Sequence, residues 1–413
     1  MRRFVYILLL VGMAVYAGLA QSALSPTTFT PTVIIVSFDG FRWDYPTRSP
    51  ASNLHRLMAR GVHAEGLIPG FPSKTFPNHY TIVTGLYPGH HGIVANNILD
   101  SKTHRTFAPS KPKEQRDPMW WGGEPIWVTA QRAGQVAAAM FWPGTEAPIG
   151  GMLPRYWKPY DEEFPANARV AQVLRWMDLP EAERPTFVTL YFEDTDTAGH
   201  DDGPESKSVQ AAIERDDGYL GRLLTGLEQR RILDRVNIVV VSDHGMAATS
   251  RDRVIAIDDY ISLSDVEISD INPTIGIFPK AGEAESVYRS LAGAHPHLKV
   301  YRREETPAHW HYRDHQRIPP IIGVADEGWQ VLRRSTLRDI LAAKVRGDSG
   351  QHGYDPTVMS MRGIFVAAGP AFKQGITVPA FENVHIYNAL AAALGVAPAR
   401  NDGDPAVARS LLK

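Results

Sequence analysis

Cysteine is absent from all 413 residues, which excludes disulfides, disulfide-linked partners and lipid attachment at a thiol. A strong charge of either sign is also missing. The 43 Lys and Arg against 45 Asp and Glu leave a net charge of −2, with an isoelectric point near 6.7. That balance removes the electrostatic case for nucleic acid as a sustained partner. A small anionic substrate would have to be held by metal and local dipoles instead. No repeat or low-complexity segment stands out.

The first thing present is a leader. Met1-Arg2-Arg3 supplies positive charge, 4–20 is apolar, and Gln21-Ser22-Ala23 is a small-residue exit. This is the pattern of a secretory signal peptide over residues 1–23. Ser, Thr and Pro in 24–31 read as a mature leader, and 32–413 as the catalytic domain. Export without cysteine suits a periplasmic or secreted protein. The alternative is an uncleaved membrane anchor, for which about 17 apolar residues lies at the short limit.

With 44% hydrophobic residues the chain can bury a large core. Apolar runs suited to buried parallel strands recur at 33–38, 136–141, 187–192, 236–242 and 364–368. Helical patterns alternate with them. One covers 50–60, with Ser49 as N-cap, Pro50 at the first position and Gly61 past the end. Another follows Val209, Ile213, Leu220, Leu224 and Leu227 at helical spacing. The expected fold is α/β, a mostly parallel central sheet with helices on both faces. Two segments read as additions. Residues 102–159, crowded with Trp, Gly and Pro, are expected to wall a pocket, and 265–346 to form a small α/β insertion.

Chemistry-bearing residues follow three of the strands. Asp39-Gly40 closes the first; alone, Asp39 reads as a turn aspartate. After 187–192 come Asp194, Asp196 and His200, with Asp194 and Asp196 as rival acids. Asp243-His244-Gly245 follows 236–242 and is the most specific single signal. His352 sits in a Gly-rich loop without a preceding strand, and alone would be a surface histidine. Acids and imidazoles at strand ends can converge, because ligands in open α/β sheets bind beyond the carboxyl ends of strands. Such a set points to zinc, one ion or two, and hence to hydrolysis. Thr75 opens a helical segment with Pro77 in its first turn and Gly85 at its end. It is either an N-cap or a nucleophile, and nearby metal ligands favour the nucleophile. His309, His311 and His315 lack accompanying strand-end acids and read as packing or solvent-facing residues. His90 and His91 read as braces for the Thr75 helix.

Asp39-Gly40, Thr75-Phe76-Pro77-Asn78-His79, Asp196 to His200, Asp243-His244-Gly245 and His352-Gly353-Tyr354 occur in the order seen in the nucleotide pyrophosphatase/phosphodiesterase family. The chain resembles that family of the alkaline phosphatase superfamily over roughly 32–400. The resemblance implies an alkaline-phosphatase-like fold and two zinc ions. Asp196, His200 and His352 would hold one; Asp39, Asp243, His244 and the Thr75 oxygen would hold the other. Asp196 is thereby preferred to Asp194. It implies that Asn96 donates to a non-bridging phosphate oxygen and that Phe76 and Tyr160 sandwich a nucleobase. The implied reaction is hydrolysis of nucleotide phosphodiester and pyrophosphate bonds by a monomer, through a covalent threonine intermediate, releasing nucleoside 5′-monophosphate. A lipid or choline head-group phosphodiesterase is the alternative. A sulfatase-like reading fails, since threonine stands where that branch has cysteine or serine and His79 where it has arginine.

Overall fold

The computed structural model describes residues 29–342 and 349–413. The expected signal peptide and residues 24–28 of the leader lie outside them, as does 343–348 of the expected insertion. Residues 31–413 pack as one compact unit. Along the chain, two sheets use strands β1 (Thr32–Phe38), β2 (Val62–Ala64), β3 (Ala137–Met140), β4 (Tyr156–Trp157), β5 (Phe187–Phe192), β6 (Val236–Val241), β7 (Val266–Asp270), β8 (Thr274–Pro279), β9 (Leu298–Arg302), β10 (Ile321–Ala325), β11 (Phe365–Ala368) and β12 (Ile376–Val378). The central sheet has the order β12-β2-β11-β6-β1-β5-β3-β4.

The sheet is mostly parallel: β1 lies parallel to both β5 and β6, and β3 to β5. The strand near 364–368 differs from expectation. β11 runs antiparallel to β6 and to β2. A strand buried on both faces gives the same unbroken apolar run in either direction, so the pattern carries no polarity. Val33 and Ile35 share a core with Ile82, Val83, Leu390 and Leu394, so successive residues Ile34 and Val36 face the other side of the pleat. Helices α1 (Ser52–Arg60), α2 (Thr75–Thr84), α3 (Ile126–Arg132), α4 (Ala166–Met177), α5 (Asp194–Asp202), α6 (Lys207–Gln229), α7 (Ala284–Leu291) and α8 (Ile386–Leu394) cover these faces and the second sheet.

Helix α1 starts two residues later than its sequence suggests. Its N-cap is Ala51, which makes no side-chain cap, and Ser49 Oγ instead donates to Glu214. The cap comes from α6: Asp217 accepts from the backbone N–H of Leu54 at 2.8 Å and of Asn53 at 3.2 Å. A tertiary carboxylate thus does what a local serine was expected to do. Asp217→Ala is expected to cost about 2 kcal/mol in denaturant unfolding, with turnover unchanged. A loss below about 0.5 kcal/mol would show that water caps the helix equally well.

The second sheet has the order β7-β8-β10-β9, antiparallel throughout. Val287 and Leu291 of α7 pack with Ile275, Ile277, Leu298 and Ile321. In the tryptophan-rich segment, Trp120, Trp121 and Trp127 are buried in the main core, and the indole N–H of Trp142 donates to the carbonyl of His79.

Candidate metal centre

Three neighbouring strands, β6, β1 and β5, end side by side, and their exits deliver the acids. Gly40 turns β1 at φ +65°; a Cβ there would meet Asp196 Cα at 2.9 Å. This close approach needs glycine. Asp196 and His200 stand one turn apart on α5 rather than in a loop, so helical spacing aims both side chains the same way. His352 follows a two-residue strand, Gly350–Gln351, that pairs with Ala247–Ala248 just past His244. A pairing this short leaves no sequence pattern, which is why the segment reads as a loop.

Among the described residues, three groups of acids and imidazoles could each hold a cation: Asp196-His200-His352, Asp39-Asp196-His244 and Asp39-His79-Asp243. In the first, His352 Nε2 lies 3.1 Å from His200 Nε2 and 3.7 Å from Asp196 Oδ1. In the second region, His244 Nε2 lies 2.9 Å from Asp243 Oδ2 and 3.5 Å from Asp39 Oδ1. Thr75 Oγ1 is 3.3 Å from the same nitrogen. Thr75 is the first residue of α2; its N-cap is Lys74, without a side-chain cap bond. The structure therefore does not use Thr75 as a cap. Asp194, the rival of Asp196, is bound to Arg215 at the surface.

The donor set fits divalent cations on two observations. First, Nδ1 of His200, His244 and His352 each donates to a backbone carbonyl, of Gly350, Gly245 and Ser73. In a neutral ring that leaves Nε2 with a lone pair aimed inward. Two such lone pairs, on His200 and His352 and 3.1 Å apart, cannot hydrogen-bond each other, and an electrophile between them would satisfy both. Second, Asp39 Oδ1, Asp196 Oδ1 and Asp243 Oδ2 are buried without a hydrogen-bond partner. Orphaned carboxylate oxygens of this kind are costly unless a cation satisfies them. Burial, with Asp243 and Asp196 alongside, holds the Asp39 carboxyl well above the usual range. For Asp243 burial also pushes upward, but His244 and His79 outweigh it and hold the group low. Burial beside His244 and His200 keeps His352 well below the ordinary imidazole range, hence neutral. His79 is in the third group, yet its Nε2 faces Ser37 Oγ and its Nδ1 donates to the carbonyl of Thr75. Both nitrogens are engaged, so it ties the Ser37 hydroxyl to the Thr75 carbonyl instead of offering a free lone pair.

A cavity of about 250 Å³ opens from this centre, lined by Asp39, Thr75, Phe76, Asn96, Trp142, Tyr160, Tyr191 and Asp196 among others. Asn96 Oδ1 accepts from the Phe76 N–H at 3.0 Å, which leaves its amide N–H groups for the cavity. Phe76 is held edge-on by Phe107, and Tyr160, half-exposed, also lines the cavity. Tyr191 was not legible as a site residue: from β5 it donates to Asp39 Oδ2 at 2.7 Å. Its one clue is position, next to the last residue of a strand whose exit carries Asp196. His91 donates to or accepts from Thr81 at 3.0 Å, bracing α2, while His311 stacks on Tyr87 at 4.0 Å away from the ligand groups.

These features define a hydrolase of the alkaline-phosphatase-like α/β class. The sequence profile of the Type I phosphodiesterase / nucleotide pyrophosphatase family matches residues 33–355, and the chain belongs to that family. It is 37% identical over 390 residues to human ectonucleotide pyrophosphatase/phosphodiesterase family member 5, covering 93% of this chain and 80% of that protein. A venom phosphodiesterase of Macrovipera lebetinus is 38% identical, but the chain spans only 47% of its length. The solved murine ectonucleotide pyrophosphatase/phosphodiesterase 5 superposes with a TM-score of 0.87 at 38% identity, covering 92% of this chain and all of the other. An inactive threonine-to-alanine variant of that murine protein, in complex with AMP, superposes at 0.86.

Proposed function

We propose that this protein hydrolyses nucleotide phosphodiester and pyrophosphate bonds, with Thr75 as nucleophile and a nucleoside 5′-monophosphate as product. One observation carries the reading: the Thr75 hydroxyl stands 3.3 Å from His244 Nε2, a nitrogen of one ligand cluster, and lines the same aromatic-walled cavity as Asp39 and Asp196. The inactive threonine variant of the murine relative, bound to AMP, supports it. We assign Asp196, His200 and His352 to one zinc and Asp39, Asp243 and His244 with Thr75 to a second, because mixed imidazole and carboxylate donors suit that ion. When bound, such cations polarise the phosphoryl oxygens and lower the pKa of a hydroxyl or a water.

The residues of the chain do the rest. Thr75 Oγ1 attacks phosphorus as the bond to the leaving oxygen breaks, giving a phosphothreonine diester. Water then displaces Thr75 in line and regenerates its hydroxyl. Asn96 donates to a non-bridging oxygen, where its contribution grows as charge develops. Tyr191 holds the Asp39 carboxylate in orientation. Phe76 and Tyr160 would take a base between them. Glu146, further along the same cavity, is bound to the Tyr160 N–H and to Arg116. It is therefore not a free anion for a choline cage, which favours nucleotides over head groups. The pattern of residues 1–23 supports export; among the described residues no helix is long and apolar enough to cross a membrane.

The test is a comparison of nitrophenyl esters. A nitrophenyl nucleotide diester is expected to exceed nitrophenyl phosphate in kcat/KM by about 100-fold or more, the contribution of base stacking realised at the transition state. A preference for the monoester overturns the specificity, and a preference for glycerophosphocholine over both moves the enzyme to head groups.

A further inference from the structure

The antiparallel sheet β7-β8-β10-β9 contributes no group to the ligand clusters, yet one of its carboxylates reaches the back of the site. Asp270, the last residue of edge strand β7, is buried. It accepts from Lys74 Nζ, which also donates to the carbonyl of Asn272 at 3.0 Å. Its other oxygen accepts from Asn97 Nδ2 at 2.9 Å. Lys74 precedes Thr75, and Asn97 follows Asn96. The Lys74 stem also passes Gly353, where a Cβ would meet Lys74 Cε at 2.8 Å, one residue past His352. Lys74 has 5% and Asp270 6% of its side chain exposed, so the charges are not free to relax into water.

We propose that Asp270 is a positioning residue for the reaction: it fixes Thr75 and Asn96 relative to each other by tying down the chain neighbour of each. This rests on the roles assigned above to those two residues. A buried ion pair is weak evidence for stability, because its desolvation offsets its attraction, but its geometry is demanding. A nucleophile and an oxyanion donor must be held to within a fraction of an ångström, and displacement by about 1 Å can cost on the order of 100-fold. One carboxylate with two oxygens, each spent on one of the two chain segments, supplies that constraint. It also gives the second sheet a part in catalysis without contact to substrate.

Four variants test this. Asp270→Asn leaves the Lys74 charge buried without a counter-charge and is expected to lower kcat by about 100-fold with KM within threefold. Lys74→Met with Asp270→Leu removes both charges and restores apolar packing, so thermal stability is expected to return while kcat stays low. Asn97→Ala alters an exposed residue and is expected to fold normally with kcat reduced about tenfold. Lys74→Arg, which keeps the charge, is expected to retain most of the activity. Zinc content by metal analysis and AMP affinity in a Thr75→Ala background should stay at wild-type levels throughout. Full kcat in the double variant or in Asn97→Ala overturns the proposal, as does loss of bound zinc in step with activity. Wild-type enzyme that ignores the nucleotide diester would instead overturn the proposed function, whatever these variants do.

Discussion

Thr75→Ala is expected to lower kcat on a nucleotide diester by about 10⁴-fold or more, the scale seen when a nucleophile that acts as one unit with its activating groups is removed. The change deletes a hydroxyl and a methyl group at the first residue of α2, and the helix cap uses neither. Lys74 is the N-cap, Asn78 returns its side-chain amide to the carbonyls of Pro72 and Lys74, and Asn96 holds the Phe76 N–H. The cavity wall is therefore intact, and AMP should bind within about threefold of wild type, since the lost group contributes at the transition state rather than in the ground state. Acid quenching of wild-type enzyme with labelled substrate should place the label on the peptide containing Thr75, and the alanine variant should show none. Turnover above a tenth of wild type, or label on another residue, ends the assignment. Thr75→Ser keeps the oxygen and should remain active.

Why the threonine could be singled out, while its supports could not, follows from the physics of each signal. The acids Asp39 and Asp243 stand at strand exits, and β-branched runs such as Val236–Val241 declare those exits by composition. Asp196 and His200 are four residues apart, a spacing that keeps its meaning whether read as loop or as helix. His352 had no such frame: its strand is two residues long, too short for any periodicity. The direction of β11 was hidden because burial on both faces erases polarity. The start of α1 was missed because its cap, Asp217, arrives from 164 residues away, as the contact with Asn53 shows. Tyr191 and the Lys74–Asp270 pair are of the same kind, polar groups whose partners are set by tertiary packing alone. Local chemistry is legible in sequence; which distant carboxylate answers a given N–H is not.

Removing the metals should have the second large effect. Dialysis against a strong chelator is expected to lower activity by about 100-fold or more, and zinc should restore it, since the cations supply both substrate polarisation and an activated oxygen. Stability should fall with activity. Without a cation the centre holds three buried carboxylate oxygens with no partner and two imidazole nitrogens facing each other at 3.1 Å. Binding to the folded chain alone stabilises it by roughly 3–4 kcal/mol at 100 to 1,000 times the dissociation constant. For a chain of this length that corresponds to a melting shift on the order of 5 °C. The two clusters should also separate. His352→Ala takes a donor from the Asp196-His200-His352 group only, so metal analysis should fall from about two ions per chain toward one, with Thr75 still beside His244. Asp243→Asn takes a donor from the other group and should leave the first ion in place. If chelated protein shown to be free of metal kept its full rate and melting temperature, the inward lone pairs would need another explanation. The orphaned oxygens of Asp39, Asp196 and Asp243 make that outcome physically expensive, because each would then be desolvated with nothing to compensate it.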